Sequence, residues 1–177
     1  YGAMLETFDG GVTWAIVNVS SGFCQQASLY FENEDYGFAG GAGCFEGHII
    51  GKYEDGVWTQ ALTTVDWSGT DYVTTINFKS SDLGFAGTIE GTLLRTTDGG
   101  DVWDTIPNVA SGYAITDIDF DGDLIRVSHH NILEWSSMTS IDDGLTWQVD
   151  MEIGSFFYPA FNALHTTSQG GAYAAGS

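Results

Sequence analysis

Basic residues are almost absent from this chain. Four Lys and Arg stand against 24 Asp and Glu, for a net charge of −20 and an isoelectric point near 4.1. Such a surface repels phosphate backbones, which excludes nucleic acid as a partner, and it disfavours anionic membranes for the same reason. Long hydrophobic runs are also missing: no stretch approaches the roughly 18 apolar residues of a membrane span. There are two Pro and two Cys, and no segment carries a helical period. The chain opens at Tyr1 with neither an initiator Met nor a signal peptide, which reads as a mature secreted form or an excised part of a longer chain. The acid surplus reads first as a solvated surface suited to salty water, where screening weakens self-repulsion, with divalent-cation binding as the sharper alternative.

What the chain does contain is glycine, 24 of them, and aromatic residues at 14% within a 43% hydrophobic composition. Short strands joined by glycine turns, with large rings between sheets, give that profile. Three segments align without gaps: Thr7-Phe-Asp9-Gly-Gly11-Val-Thr-Trp14, Thr96-Thr-Asp98-Gly-Gly100-Asp-Val-Trp103 and Ser140-Ile-Asp142-Asp-Gly144-Leu-Thr-Trp147. A worn fourth copy, Glu54-Asp-Gly56-Val-Trp58, is one residue shorter, and the four tryptophans are 44, 45 and 44 residues apart. A second motif interleaves with the first: Tyr36-Gly-Phe38-Ala-Gly40, Leu83-Gly-Phe85-Ala-Gly87 and, more loosely, Ala172-Tyr173-Ala-Ala-Gly176. A strand of alternating apolar and polar residues precedes each full copy, ending at Phe31 and Phe78, and a third such strand ends at Phe120.

Each repeat therefore reads as four strands. The clearest copy places them at about 73–79, 84–89, 92–97 and 102–106. A period near 44 with four short antiparallel strands predicts the blades of an all-β β-propeller. The blades fall at about 19–63, 64–108 and 109–152, with 153–177 joining 1–18 as a composite blade that closes a single four-bladed domain; a piece of a larger propeller is the alternative.

The octapeptides make the chain resemble the Asp-box (BNR) repeat propellers, a group within the WD40/YVTN-like superfold that includes sialidases, sortilin-type receptors and photosystem II assembly factors. The pairing of a D-x-G-F-A-G strand with L-x-R-T-T-D-G-G-x-x-W looks most like the last of these. The resemblance runs through all the repeats and implies a propeller; it specifies function poorly, because one fold hosts many activities. In families with this motif the box is a structural hairpin remote from the ligand face. The residues agree: Asp9, Asp98 and Asp142 each start a turn and accept backbone N–H groups, Gly11, Gly100 and Gly144 supply positive φ, and Trp14, Trp103 and Trp147 return to fill the space between blades.

Cys24 and Cys44 fall on strands one and two of the second blade. Antiparallel partners share a constant index sum, here near 68 for a turn centred near 34, and 24 and 44 match it. A cross-strand disulfide is expected, stabilising by roughly 3 kcal/mol and implying a secreted, extracellular or periplasmic location. Asp117-Ile-Asp119-Phe-Asp121-Gly-Asp123 opens like a calcium loop, but its twelfth position is Ser128 and not a bidentate Glu. A hairpin turn, with Asp119 aimed at the channel, is the preferred reading; weak calcium at Asp119, Asp121 and Asp123 is the alternative, and no other cofactor is expected. His129 and His130 read as surface loop residues, since neighbours on a strand point to opposite faces and seldom chelate one ion.

No enzyme is legible. Sialidase chemistry calls for an arginine cluster, and only Arg95 and Arg126 exist. No nucleophile elbow or glycosidase-type acidic pair stands in a recognisable context. The inter-blade loops instead carry Asp66, Trp67, Asp71, Tyr72, Tyr113, Phe156, Phe157 and Tyr158, which with His129 and His130 form the expected binding face, although capping of the core explains the aromatics equally well. The expectation is a secreted protein-binding or self-assembling module within a larger extracellular or virion-like assembly. The alternative is a glycan-binding or glycoside-acting propeller that stacks sugars on Trp67, Tyr72 and Phe157.

Overall fold

The computed structural model describes residues 4–17, 19, 22–44, 47–63, 70–107, 109–110, 112–131, 134–154, 161–167 and 171–176. The described residues form strands and turns throughout. The strands are β1 (Met4–Glu6), β2 (Ala15–Val17), β3 (Phe23–Asn33), β4 (Tyr36–Gly43), β5 (His48–Glu54), β6 (Val57–Thr63), β7 (Val73–Phe78) and β8 (Gly84–Thr88). They continue with β9 (Leu93–Thr96), β10 (Asp104–Ile106), β11 (Ala114–Asp121), β12 (Leu124–His130), β13 (Glu134–Ser140), β14 (Gln148–Gly154), β15 (Phe161–Thr166) and β16 (Ala172–Gly176). Three sheets have four strands in chain order, β3 to β6, β7 to β10 and β11 to β14; β1–β2 and β15–β16 are sheets of two. The four strands expected of the clearest repeat coincide with β7 to β10 to within two residues at each end.

Two compact units divide the chain, Tyr1–Val73 and Thr74–Ser177. In the second, the core gathers Phe85, Leu93, Val109, Ala110, Ile115, Ile118, Ile125 and Val127, with Phe120 and Trp147 packed against it. The second strand of each four-stranded sheet has a buried interior, and β8 is buried throughout, with β11 of the next sheet packed against it. Small residues permit that approach: a Cβ added at Gly87 would collide with Ile115. On β11, Ile115 and Ile118 enter one core although an odd spacing would put them on opposite faces; the ladder slips between Ile115 and Asp117, and that irregularity restores the phase.

In the first unit the core is Met4, Val19, Phe23, Ala39 and Ile49, with Val17 and Trp58 against it. Cys24 and Cys44 are joined, their Cα atoms 4.7 Å apart. The register that joins them is not uniform. The index sum is 68 at Ser28↔Gly40 but falls to 67 at Gln26↔Gly41 and 66 at Phe23↔Gly43, since two of the three irregularities in β3 lie between Phe23 and Ser28. Cys24 occupies one of them, between Phe23 and Gln25, and the bulge brings its side chain to Cys44 just beyond the end of β4.

Candidate functional site

The three octapeptides fold into one hydrogen-bonded turn. In the first, Thr13 donates to the Asp9 carboxylate through N at 2.8 Å and Oγ1 at 2.6 Å, while Thr7 Oγ1 donates to Oδ1 at 2.9 Å. Gly11 N donates to Thr7 Oγ1 at 2.9 Å, and Trp14 Nε1 donates to the Gly11 carbonyl at 3.0 Å. The third copy repeats this with Thr146, Ser140, Gly144 and Trp147 around Asp142. Hydrogen bonds from Thr13 and Thr146 are the main cause that pulls the carboxyls of Asp9 and Asp142 down to about 2. In the second copy Val102 replaces that threonine, so Asp98 loses the hydroxyl donor; its pKa is lowered chiefly by the Val102 N–H at 3.0 Å. The donors to these carboxylates come from their own loops, which is the geometry of a hairpin staple.

The tryptophans do not share one fate. Trp103 is buried and meets Phe78 edge-on at 5.9 Å, and Trp147 is half-buried against Phe85. Trp14 was expected to fill the space between blades but is 58% exposed, because β1–β2 has only two strands and leaves the indole uncovered. The shortened fourth loop is a two-residue hairpin with Asp55 at φ 48° and Gly56 at φ 84°. It lacks the glycine carbonyl that receives the indole elsewhere, so Trp58 Nε1 has no acceptor among the described residues.

Of the expected binding face, Asp66, Trp67, Phe156, Phe157 and Tyr158 lie outside the described residues. Asp71 is buried and Tyr72 half-buried. Tyr113 donates its hydroxyl to Glu134 at 2.9 Å and meets His129 edge-on at 5.3 Å. His129 and His130 are not loop residues: both belong to β12, whose interior is covered on both faces, and His129 is buried with no hydrogen-bond partner for either ring nitrogen among the described residues. Burial, with His130 beside it, pushes the His129 pKa down. Asp119 and Asp121 are two apart on β11 and share a face, with Asp119 lying 3.8 Å from His165 Nδ1, whereas the exposed Asp123 turns to Lys79 at 3.5 Å. Among the described residues no cluster of three His, Cys, Asp or Glu is placed to hold a metal ion.

All four cations are committed. Lys79 binds Asp143 at 2.7 Å, Arg95 donates to the Asp143 carbonyl at 2.8 Å, Arg126 pairs with Asp150 at 3.0 Å, and Lys52 lies 5.2 Å from the centre of the Tyr36 ring. In the first unit a groove of about 520 Å³ opens beside β1. Leu5, Phe8, Trp14, Leu29, Phe31 and Tyr53 supply its apolar wall, and Glu6 and Glu34 its acidic members. Phe31 lies 5.7 Å from Tyr53 and 6.1 Å from Trp58 yet remains 43% exposed. Apart from Trp14, read as a core residue, these groove residues were not singled out in the sequence. They come from four separate strands and turns, and the one available signal was that Leu29 and Phe31, two apart on β3, must share a face.

No family model and no curated protein matches the chain. Among solved structures, "YCF48 bound to D1 peptide" superimposes with a TM-score of 0.65 at 17% identity, covering 99% of this chain and 55% of that one. YCF48 from Cyanidioschyzon merolae gives 0.67 at 17% identity, covering 98% and 57%. The likeness shows the fold, a β-propeller, and the chain spans just over half the length of these structures.

Proposed function

We propose that this chain is a non-catalytic, Asp-box β-propeller module that binds protein in an assembly, through the acid-rimmed aromatic groove beside β1. The groove carries the proposal: it exposes a contiguous apolar surface on a protein otherwise dominated by carboxylates, the combination that marks a docking site. The similar YCF48 structure with a bound peptide supports a peptide-binding use of the fold, and the turn geometry of Asp9, Asp98 and Asp142 supports a structural role for the boxes. The Cys24–Cys44 disulfide supports a secreted or periplasmic setting.

Peptide-display selection against the intact chain tests this. Selected binders are expected to be apolar with basic flanks, to lose at least about tenfold in affinity when Phe31→Glu is introduced, and to weaken with added salt. Binders indifferent to Phe31→Glu, or a glycan ligand with no peptide ligand, would overturn it.

A further inference from the structure

Five Asp–Gly pairs punctuate the chain, at Asp9, Asp55, Asp98, Asp121 and Asp143. An aspartyl side chain followed by glycine closes readily to a succinimide, because glycine's missing Cβ leaves the attacking amide nitrogen unhindered. The glycine nitrogen bonds to Cγ, its proton and the carboxyl hydroxyl leave as water, and one water then reopens the ring. Opening at Cγ restores aspartate. Opening at the α-carbonyl gives isoaspartate, in which the main chain runs through Cβ and Cγ. Water is the sole co-reactant, and the mass is unchanged.

Four of the pairs are held against this. Asp9 accepts hydrogen bonds from Thr7 and Thr13, and Asp98 from Thr96 and Val102, which fixes each carboxylate within its turn. The hydroxyl leaves only from the protonated acid, and Thr13 above all holds the Asp9 carboxyl down to about 2, as the Val102 N–H lowers that of Asp98. Asp143 binds Lys79 at 2.7 Å through its carboxylate and Arg95 at 2.8 Å through its carbonyl, and the following Gly144 is buried against Phe85. Asp121 belongs to the β11 ladder, paired with Leu124, so its backbone cannot swing Gly122 onto its carboxyl without opening that pair.

Asp55 has none of these restraints. It is exposed in the two-residue turn between β5 and β6, outside the closing pair Glu54↔Val57. Its N–H donates to the Asp35 carbonyl at 3.0 Å, while its carboxylate meets no hydrogen-bond or ion-pair partner and the Gly56 N–H donates to nothing among the described residues. A Cβ at Gly56 would meet nothing within 4 Å, so the nucleophile stands in open space. Asp55 also holds φ at 48°, a left-handed conformation that costs an L-residue free energy. Asp143 shares that strain at 57°, and the two differ in the Lys79 and Arg95 clamp. We propose that Asp55–Gly56 is a modification site of the folded protein, the first of the five pairs to close to the succinimide and to accumulate isoaspartate. The product adds one carbon to the main chain of the turn and so disturbs the ladder beside it, where Tyr53 pairs with Trp58.

Ageing the intact chain tests this. It is held in mildly acidic buffer, folded and in urea, and peptide fragmentation that separates isoaspartate from aspartate follows all five positions. In the folded chain Asp55 is expected to convert at least about tenfold faster than any other pair. In urea, where the turns are gone, that lead is expected to shrink to a few-fold. Asp55→Asn suits the same turn and offers an amide in place of a carboxylate, so it is expected to reach the same product several-fold sooner. Another pair leading in the folded chain, the same lead persisting in urea, or an inert Asp55→Asn overturns the inference.

Discussion

Trp103 and Trp14 occupy the same position of the same turn and make the same indole hydrogen bond, to Gly100 at 3.2 Å and to Gly11 at 3.0 Å. They differ in burial, at 8% and 58% exposed. A buried Trp removes about 200 Å² from water, worth roughly 5 kcal/mol at 25 cal/mol per Å², and measured Trp→Ala changes in cores run at about 3–5 kcal/mol. Trp103→Ala is therefore expected to destabilise by about 4 kcal/mol. Trp14→Ala removes less than half of that burial and the same hydrogen bond, for about 2 kcal/mol. The assay is urea unfolding followed by far-ultraviolet circular dichroism at low protein concentration, so that association does not protect Trp14. Equal losses for the two variants would refute the link between strand number in a sheet and the burial of its turn tryptophan.

Three further outcomes follow from the same structure. Reducing Cys24–Cys44 is expected to cost roughly 3 kcal/mol by releasing a loop of sequence separation 20, and peptide mapping that finds free thiols in the oxidised protein would contradict it. Asp9 and Asp142 have folded pKa values depressed from 3.8 to about 2, so their contribution is complete above about pH 4 and lost as pH falls from there toward 2; in an acid titration Asp142→Asn should flatten that limb, and an unchanged limb would count against it. His129 has a folded pKa below 6.5, so the unfolded chain binds the extra proton and stability declines as pH drops through 6.5; nuclear magnetic resonance showing His129 protonated at pH 6.5 in the folded protein would refute its buried, neutral placement.

The strands were legible because their signals are local. Alternation marks β7 and β11, and glycine with aspartate marks the turns at Asp98 and Asp142. The disulfide was legible only in outline: the right pair emerged from a uniform register, and the irregularities between Phe23 and Ser28, which no composition cue announces, move the ladder by two. Burial was the weakest inference, since it depends on neighbours supplied from elsewhere. Trp14 and Trp103 have the same local sequence context and opposite exposure, and His129 was read as a loop residue because nothing local reveals that β12 is covered on both faces. The groove was missed for the same reason: Leu5, Leu29, Phe31 and Tyr53 are ordinary strand residues until β1 and β3 bring them together.

Amide hydrogen exchange across the open edge of β1 tests most directly whether the groove is a protein-docking surface. The chain is compared with and without a selected peptide. Occupation is expected to slow exchange within Met4–Glu6 on β1, which among the described residues pairs with β2, together with the segment around Leu29 and Phe31. Binding that leaves these amides unchanged while protecting Tyr113 and His129 in the second unit would contradict it.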